Sequence, residues 1–201
     1  PYTTLFRSVA EANTLVLNAK TALDTSLKDA QSLDSTIFTA DSYAALKTVM
    51  DESSLLVQST TSTLEQLTQE LVKLDNAKKA LINVSGLNAI VDQSSTYVKD
   101  SYTNRSFTAY ETSLNEAKKV LENGASTVED IEKAQSVLNA AAASLVKKAD
   151  FSKLNEKVQE ASEVLESNKD MLEEESYNNF KKELDDCSLV LSNDELTQAK
   201  I

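Results

Sequence analysis

The chain has 201 residues, with 32 Asp and Glu against 20 Lys and Arg, no His, one Cys and a formal net charge of −12. This charge repels phosphates and no basic stripe offsets it, which argues against a nucleic-acid partner. Without His the chain lacks the commonest general base and transition-metal ligand, and one Cys forms neither an internal disulfide nor a zinc cluster. Two Gly and one Pro favour a nearly all-helical chain, and no apolar run reaches the ~20 residues of a membrane span.

Residues 1–8 read as the in-frame translation of a common DNA-sequencing adapter. We therefore expect this segment to be non-native, and the chain to be a metagenomic fragment whose reading frame begins inside a longer protein. The alternative is a native extended N-terminal arm. If the segment is non-native, the lone Pro is not part of the natural protein, and removal of Arg7 makes the formal charge −13.

Internal repetition is the main feature of the remaining residues. Ser62-Thr63-Leu64-Glu65-Gln66-Leu67 reappears 64 residues later as Ser126-Thr127-Val128-Glu129-Asp130-Ile131, and other positions keep the same shift. We predict a first copy at 21–84, a second at 85–148, and a truncated third copy at 149–201 with two helices and the start of a third. Residues 9–20 are interpreted as the tail of a preceding repeat.

Each copy is predicted to contain three helices, because apolar residues recur at spacings of three and four and strand-like alternation is absent. The expected fold is all-α: tandem three-helix-bundle repeats forming an elongated rod, in which contacts between neighbouring repeats supplement small individual cores. The apolar faces of the second copy are Leu87, Val91, Ser94 and Val98, then Phe107, Tyr110, Leu114, Ala117 and Leu121, then Val128, Ile131, Leu138 and Leu145; those of the third copy include Leu154, Val158, Ala161, Leu165 and Leu172.

The predicted helix ends have their own signals. Ser62 with Glu65, and Ser126 with Glu129, have capping-box spacing. Thr103 is a candidate N-cap of the second helix, with Tyr102 and Phe107 in hydrophobic-staple positions, and Phe38, Thr39 and Tyr43 repeat the pattern. Asn123-Gly124 predicts a helix stop at which the glycine is free to take a positive φ.

These positions resemble the FIVAR repeat of Gram-positive surface proteins. The opening Tyr-Thr-x-x-Ser-aromatic pattern is matched by residues 102–107, the middle by Leu114, Ala117, Val120 and Leu121, and the closing Leu-Val-Lys-Lys by residues 145–148. The third copy departs from it, with Leu172-Glu173 in place of Tyr-Thr. The resemblance implies exported or cell-wall-associated proteins, in which such repeats are spacers or weak binding modules.

Several residues are candidate sites. Cys187 aligns with Ala117 and Ser53, so it is interpreted as a small buried residue rather than a reactive thiol. The acidic runs 173–175, 185–186 and 194–195 lack the alternating spacing of a calcium loop, and no metal site is predicted. Six aromatic residues are assigned to the core by their spacing, rather than to an exposed binding stripe: Tyr43, Tyr102, Phe107, Tyr110, Tyr177 and Phe180.

No catalytic residue, cofactor site or metal site is predicted, because the sequence has no phosphate-binding loop, nucleophile elbow or evident sugar platform. Two functions remain open. The repeats are either a structural spacer of a bacterial surface or secreted protein, with neighbouring repeats as partners, or a module that binds a host protein or glycan through one bundle face. A binding module predicts an exposed apolar patch at matched positions of the copies. The mainly polar predicted surface favours the spacer.

Overall fold

The computed structural model describes residues 2–193 and 195–197. It confirms the all-α fold, and the described residues contain no β-sheet. The α-helices of the described residues are α1 (Tyr2–Gln31), α2 (Ala40–Gln58), α3 (Leu64–Lys79), α4 (Ser85–Asp92), α5 (Asn104–Glu122), α6 (Val128–Ala143), α7 (Ser152–Ser167) and α8 (Glu174–Leu191). Short 3-10 turns lie at Ser35–Ile37, Gln93–Thr96, Lys99–Ser101 and Lys169–Met171. None of the described helices is long and apolar enough to cross a membrane.

The chain divides into two units, Pro1–Asp92 with Asn115–Val137, and Gln93–Leu114 with Leu138–Ile201. In the first unit, α1, α2 and α3 enclose one apolar core. Its members recur at helical spacings of three, four and seven, so each helix turns one face inward. The most buried of them, all at most 7% exposed, are Leu23, Leu27, Ala30, Leu46, Met50, Leu67 and Leu74.

Helix α1 runs without interruption from Tyr2 to Gln31. The predicted boundary between residues 20 and 21 is therefore not a helix end, and no linker separates residues 9–20 from the helix of the first copy. Residues 6–15 of this helix are exposed, and the first side chain packed against the core is Val16. Residues 6–15 are thus helical but bury no side chain.

The first helix of the second copy is shorter than its apolar pattern predicts. Helix α4 ends at Asp92, and the chain continues as 3-10 turns that leave Val98 60% exposed. Short polar side chains cause this difference, because they offer the backbone local alternatives to helix. The Thr96 hydroxyl, for example, donates to the carbonyl of Gln93 at 2.7 Å.

The third copy contains α7 and α8, which lie in the second unit. Leu165 is buried in α7, whereas α8 has no buried residue. The equivalent helices of the first copy bury several side chains each. Fewer side chains are therefore buried in α7 and α8 than in the equivalent helices of the first copy.

Deleting residues 1–7 is expected to leave the thermal unfolding midpoint unchanged, because Phe6 is 72% exposed and packing on α1 begins at Val16. Leu23→Ala is the positive control, since removal of this fully buried side chain costs about 2–5 kcal/mol. A deletion that lowers the midpoint as much as Leu23→Ala would contradict the prediction. Circular dichroism at 222 nm, the standard probe of helix content, measures both.

Candidate functional site

The segment before the second helix is joined to the segment after the third helix by the same hydrogen bonds in both complete copies. In the first copy, the Thr39 amide donates to the Ile82 carbonyl at 2.9 Å, and the Ile82 amide donates to the Ser42 hydroxyl at 3.2 Å. In the second copy, the Thr103 amide donates to the Val146 carbonyl at 2.8 Å, and the Val146 amide donates to Ser106 at 3.1 Å. We call these groups the Thr-Ser clasp: Thr39, Ser42 and Ile82 in the first copy, and Thr103, Ser106 and Val146 in the second.

One serine hydroxyl organises each clasp. The Ser42 hydroxyl accepts from the Thr39 hydroxyl at 2.8 Å and donates to the Thr39 carbonyl at 3.0 Å. Ser106 makes the same two bonds with Thr103, at 3.0 and 3.1 Å. Each serine hydroxyl thus donates its single proton to the threonine carbonyl at the start of its own helix. A remaining lone pair accepts from the amide of the segment that follows the third helix.

Backbone pairing extends the clasp by two residues. The Val84 amide donates to the Ile37 carbonyl at 2.8 Å, and the Lys148 amide donates to the Ser101 carbonyl at 3.1 Å. Isolated antiparallel bridges, Phe38 with Asn83 and Tyr102 with Lys147, lie between these bonds. The chain that leaves each bundle is therefore held by its backbone as well as by serine.

Thr103 lies at the predicted N-cap position, since α5 begins at Asn104. Its hydroxyl, however, does not have the bonding partner expected of an N-cap. It donates to Ser106, and the equivalent Thr39 makes no side-chain cap bond to an amide. Both threonines are buried, Thr39 at 6% and Thr103 at 4% exposure. A buried hydroxyl needs a partner, and the serine three residues later provides one.

The capping boxes of the third helices lie one residue later than predicted. Thr63 and Gln66 exchange side-chain-to-backbone bonds at 2.9 and 3.2 Å, and Thr127 and Asp130 do the same at 2.9 and 3.2 Å. The predicted caps Ser62 and Ser126 instead donate to carbonyls at the end of the second helix: Ser62 to Leu56 at 2.8 Å, and Ser126 to Val120 at 2.7 Å.

The two boxes differ in charge. The amide and hydroxyl of Thr127 hold the pKa of Asp130 below its ordinary range, because both donate to the carboxylate. In the first copy the Gln66 side chain accepts from the Thr63 amide and the Gln66 amide donates to the Thr63 hydroxyl, so this box contains no ionisable group. The second copy therefore has a pH-dependent cap and the first has a pH-independent one.

A further contact recurs at the start of each second helix. The Asp41 amide donates to the carbonyl of Gly124 at 3.1 Å, and the Arg105 amide donates to a carboxylate oxygen of Glu195 at 2.9 Å. Amides in the first turn of a helix have no partner within that helix. In both cases the turn after the second helix of the following copy provides the acceptor. We call each of these two contacts a repeat junction: Asp41 with Gly124, and Arg105 with Glu195.

Gly124 has no positive φ, contrary to the prediction. A Cβ at this position would lie 2.8 Å from the Asp41 carboxylate and 3.2 Å from the Ala40 side chain. Close approach at the repeat junction, chiefly to the Ala40 side chain, therefore leaves little room for a side chain at this position.

The model of the FIVAR domain family matches this sequence twice, over residues 19–81 and 83–146. These matches cover more than half of the chain. The chain belongs to the FIVAR family. FIVAR domains are non-catalytic and are found in bacterial surface or secreted proteins, with a tandem-repeat pattern. No solved structure matches the chain.

In this FIVAR chain, the two complete copies have different interiors. The first copy buries Glu70 at 2% exposure, where Ser53 donates to it at 3.2 Å and Lys73 pairs with it at 3.2 Å. The second copy places Ala117 and Ala134 at the corresponding positions. The charged pair is therefore specific to the first copy and not a requirement of the repeat.

The second copy instead has an aromatic cluster. Tyr97 lies 5.1 Å from Tyr110 and 6.2 Å from Tyr102, and Phe107 lies 5.8 Å from Tyr110 between ring centroids. Burial raises the pKa of the Tyr110 hydroxyl. Sequence reasoning assigned Phe107, Tyr110 and Tyr102 to the core but missed Tyr97, which lies beyond the regular helical pattern.

None of the candidate site residues is one of the six clasp residues, although Tyr102 forms the neighbouring bridge with Lys147. Cys187 is half-exposed rather than buried, because no third helix covers it among the described residues. Of the six aromatic residues, Phe180 is 45% exposed and the others are wholly or partly buried.

Glu173–Glu175 lie at the exposed start of α8 and 185–186 lie within it, while Asp194 lies outside the described residues. The described part of the chain contains no group of three acidic or thiol side chains positioned to hold a metal.

Ser106→Ala is expected to destabilise the second copy by about 1 kcal/mol, because the Val146 amide and the Thr103 hydroxyl both lose a partner. Ser42→Ala repeats the test in the first copy. The control is Ser113→Ala, whose hydroxyl bonds only to the Ala109 carbonyl within α5. Urea unfolding measures all three, and equal midpoints for Ser106→Ala and Ser113→Ala would contradict the clasp.

Asp130→Ala is expected to lower the melting temperature at neutral pH and to have less effect in acid. A carboxylate with a depressed folded-state pKa stabilises the fold above its unfolded pKa, about 3.9, and this contribution disappears as pH falls through the lower folded value. Gln66→Ala is the matched control, since its box has no ionisable group. Thermal melts of both variants and the parent across this pH range measure the difference, and a pH-independent loss for Asp130→Ala would refute it.

Proposed function

We propose that these FIVAR repeats are a non-catalytic spacer in a bacterial surface or secreted protein, with neighbouring repeats of the same chain as their partners. The observation that carries this proposal is the Thr-Ser clasp, which recurs with the same donors and acceptors in both complete copies. It holds the chain immediately before the next copy begins: Val84 bonds to Ile37, and α4 starts at the following residue. Such a connection fixes the end of one copy next to the start of its own second helix.

The repeat junction supports the same function. It provides partners for amides of Asp41 and Arg105 that a single bundle would leave to solvent. The acceptor comes from the following copy in both cases. Repeats that complete one another in this way depend on contacts between neighbours in the chain.

The distribution of exposed apolar residues argues against a repeated binding face. A face that binds the same ligand in each copy needs an apolar patch at matched positions. Leu64 and Val128 are the only large exposed apolar side chains of the described residues that correspond across the 64-residue repeat. They are the first residues of α3 and α6, where one isolated side chain makes no patch.

A spacer predicts that the distance between two copies that flank an insertion increases by equal steps as repeats are inserted between them. Variants with one, two or three additional copies of residues 85–148, inserted after 148, would be labelled with fluorophores in the flanking copies, and energy transfer would report the separation. Each insertion is expected to add the same increment. The control inserts are glycine-serine segments of the same length, whose separation grows about as the square root of length.

Two results would contradict the spacer proposal. Square-root growth for the repeats would mean that the copies are flexibly linked. A soluble cell-wall glycan or host surface protein that binds the chain saturably, and loses binding on substitution of one exposed side chain, would favour the binding module instead. Glycan-array and surface-plasmon-resonance binding measurements test this second outcome.

A further inference from the structure

Apolar contact alone does not distinguish the third helices of the two complete copies. The core positions of α3 are Leu67 and Leu74, and the corresponding positions of α6 are Ile131 and Leu138, all at most 4% exposed. Exchanges among large aliphatic side chains of similar volume cost little in a protein core. Copies with the same apolar pattern are therefore open to pairing between the wrong helices, which is a characteristic misfolding route of repeat proteins.

One buried polar contact does distinguish the two helices. Glu70 of α3 is 2% exposed, and each of its carboxylate oxygens has a partner. The Ser53 hydroxyl of α2 donates to Oε1 at 3.2 Å, and the Lys73 ammonium, on α3 itself, lies 3.2 Å from Oε2. Ser53 is fully buried, whereas the Lys73 side chain is 59% exposed. Ser53 is thus the buried donor that a different helix provides.

The second copy has neither side chain of the Ser53–Glu70 contact. Ala117 of α5 corresponds to Ser53, and Ala134 of α6 corresponds to Glu70. Ala117 is 1% exposed, so a carboxylate placed against it finds no hydroxyl donor on α5. A buried carboxylate that loses a donor is costly. In the third copy the same position is Cys187, so the three copies have three different side chains there.

We propose that the Ser53–Glu70 hydrogen bond restricts α3 to the first two helices of its own copy. On α1 and α2 the carboxylate of Glu70 is satisfied by Ser53, whereas on the second copy Ala117 would leave it short of a donor. A buried polar group that is satisfied in one pairing and not in another specifies register in helix assemblies. The inference concerns how the copies assemble, and it holds whether or not the array is a spacer.

The test uses the full chain with α6 replaced by a copy of α3, so that residues 128–143 have the sequence of residues 64–79. The copied helix includes Lys73, and Ser53 is then the missing partner of the copied carboxylate. Three such chains are compared. One keeps the copied Glu70, one has Glu70→Ala on the copied helix, and one combines the copied Glu70 with Ala117→Ser. The parent chain with Ala117→Ser alone is the matched control.

Hydrogen exchange at amides 106–121 of α5 reports on the second copy, and amides 42–57 of α2 are the internal reference. The copied Glu70 is expected to speed exchange at 106–121 about tenfold relative to Glu70→Ala on the copied helix, because a hydrogen bond to a buried charged group is missing. Ala117→Ser is expected to recover most of that difference. In the parent chain Ala117→Ser is expected not to slow exchange, since Ala134 offers the added hydroxyl no carboxylate.

Three results would overturn the proposal. Equal exchange with the copied Glu70 and with its alanine variant would mean that Glu70 does not distinguish the copies. Failure of Ala117→Ser to slow exchange beside the copied Glu70 would mean that the missing serine is not the cause. Equal slowing in the parent chain would mean that serine stabilises α5 by itself. If the second copy does not fold at all with the copied Glu70, restored protection by Ala117→Ser supports the proposal and its absence refutes it.

Discussion

The structure depends on how the backbone is satisfied where the chain leaves each three-helix bundle. A segment that exits a helix and turns toward the next one has unpaired amides and carbonyls, and leaving them buried without partners is costly. The Thr-Ser clasp supplies these partners from the start of the second helix. The apolar core determines which faces of the helices meet. The clasp determines where the chain emerges from each complete copy.

A comparison of the two complete copies shows that the core tolerates substitutions more readily than the clasp does. Ser53 and Glu70 of the first copy are replaced by Ala117 and Ala134 in the second, and Leu46 is replaced by Tyr110. Volume and polarity change together at these sites, while the clasp bonds keep nearly the same lengths. A buried carboxylate is costly unless its partners are well placed, so the restriction of Glu70 to one copy is consistent with a local solution rather than a family requirement.

Sequence periodicity predicted the helices and most of the core because burial depends on which face a side chain occupies. It predicted less well wherever a short polar side chain chooses between partners. Ser62 and Thr63 are both plausible caps by spacing, and the choice depends on whether the preceding carbonyl of Leu56 lies within reach. The role of Gly124 was equally hidden, because its close neighbour Asp41 is distant in sequence. The clasp could not be predicted from the sequence, because it joins two segments that meet only after folding.

The third copy separates the two requirements. It keeps Ser176 at the position of Ser106 but has Glu173 in place of Thr103, so the hydroxyl that donates to the clasp serine is absent. Glu173 lies before α8 without a side-chain cap bond. The third copy thus forms α7 and α8 without the threonine of the clasp, and Leu165 is the one buried residue of these two helices. Helix formation in this repeat therefore does not require the Thr-Ser clasp, whereas the buried faces of α1 and α2 occur together with it.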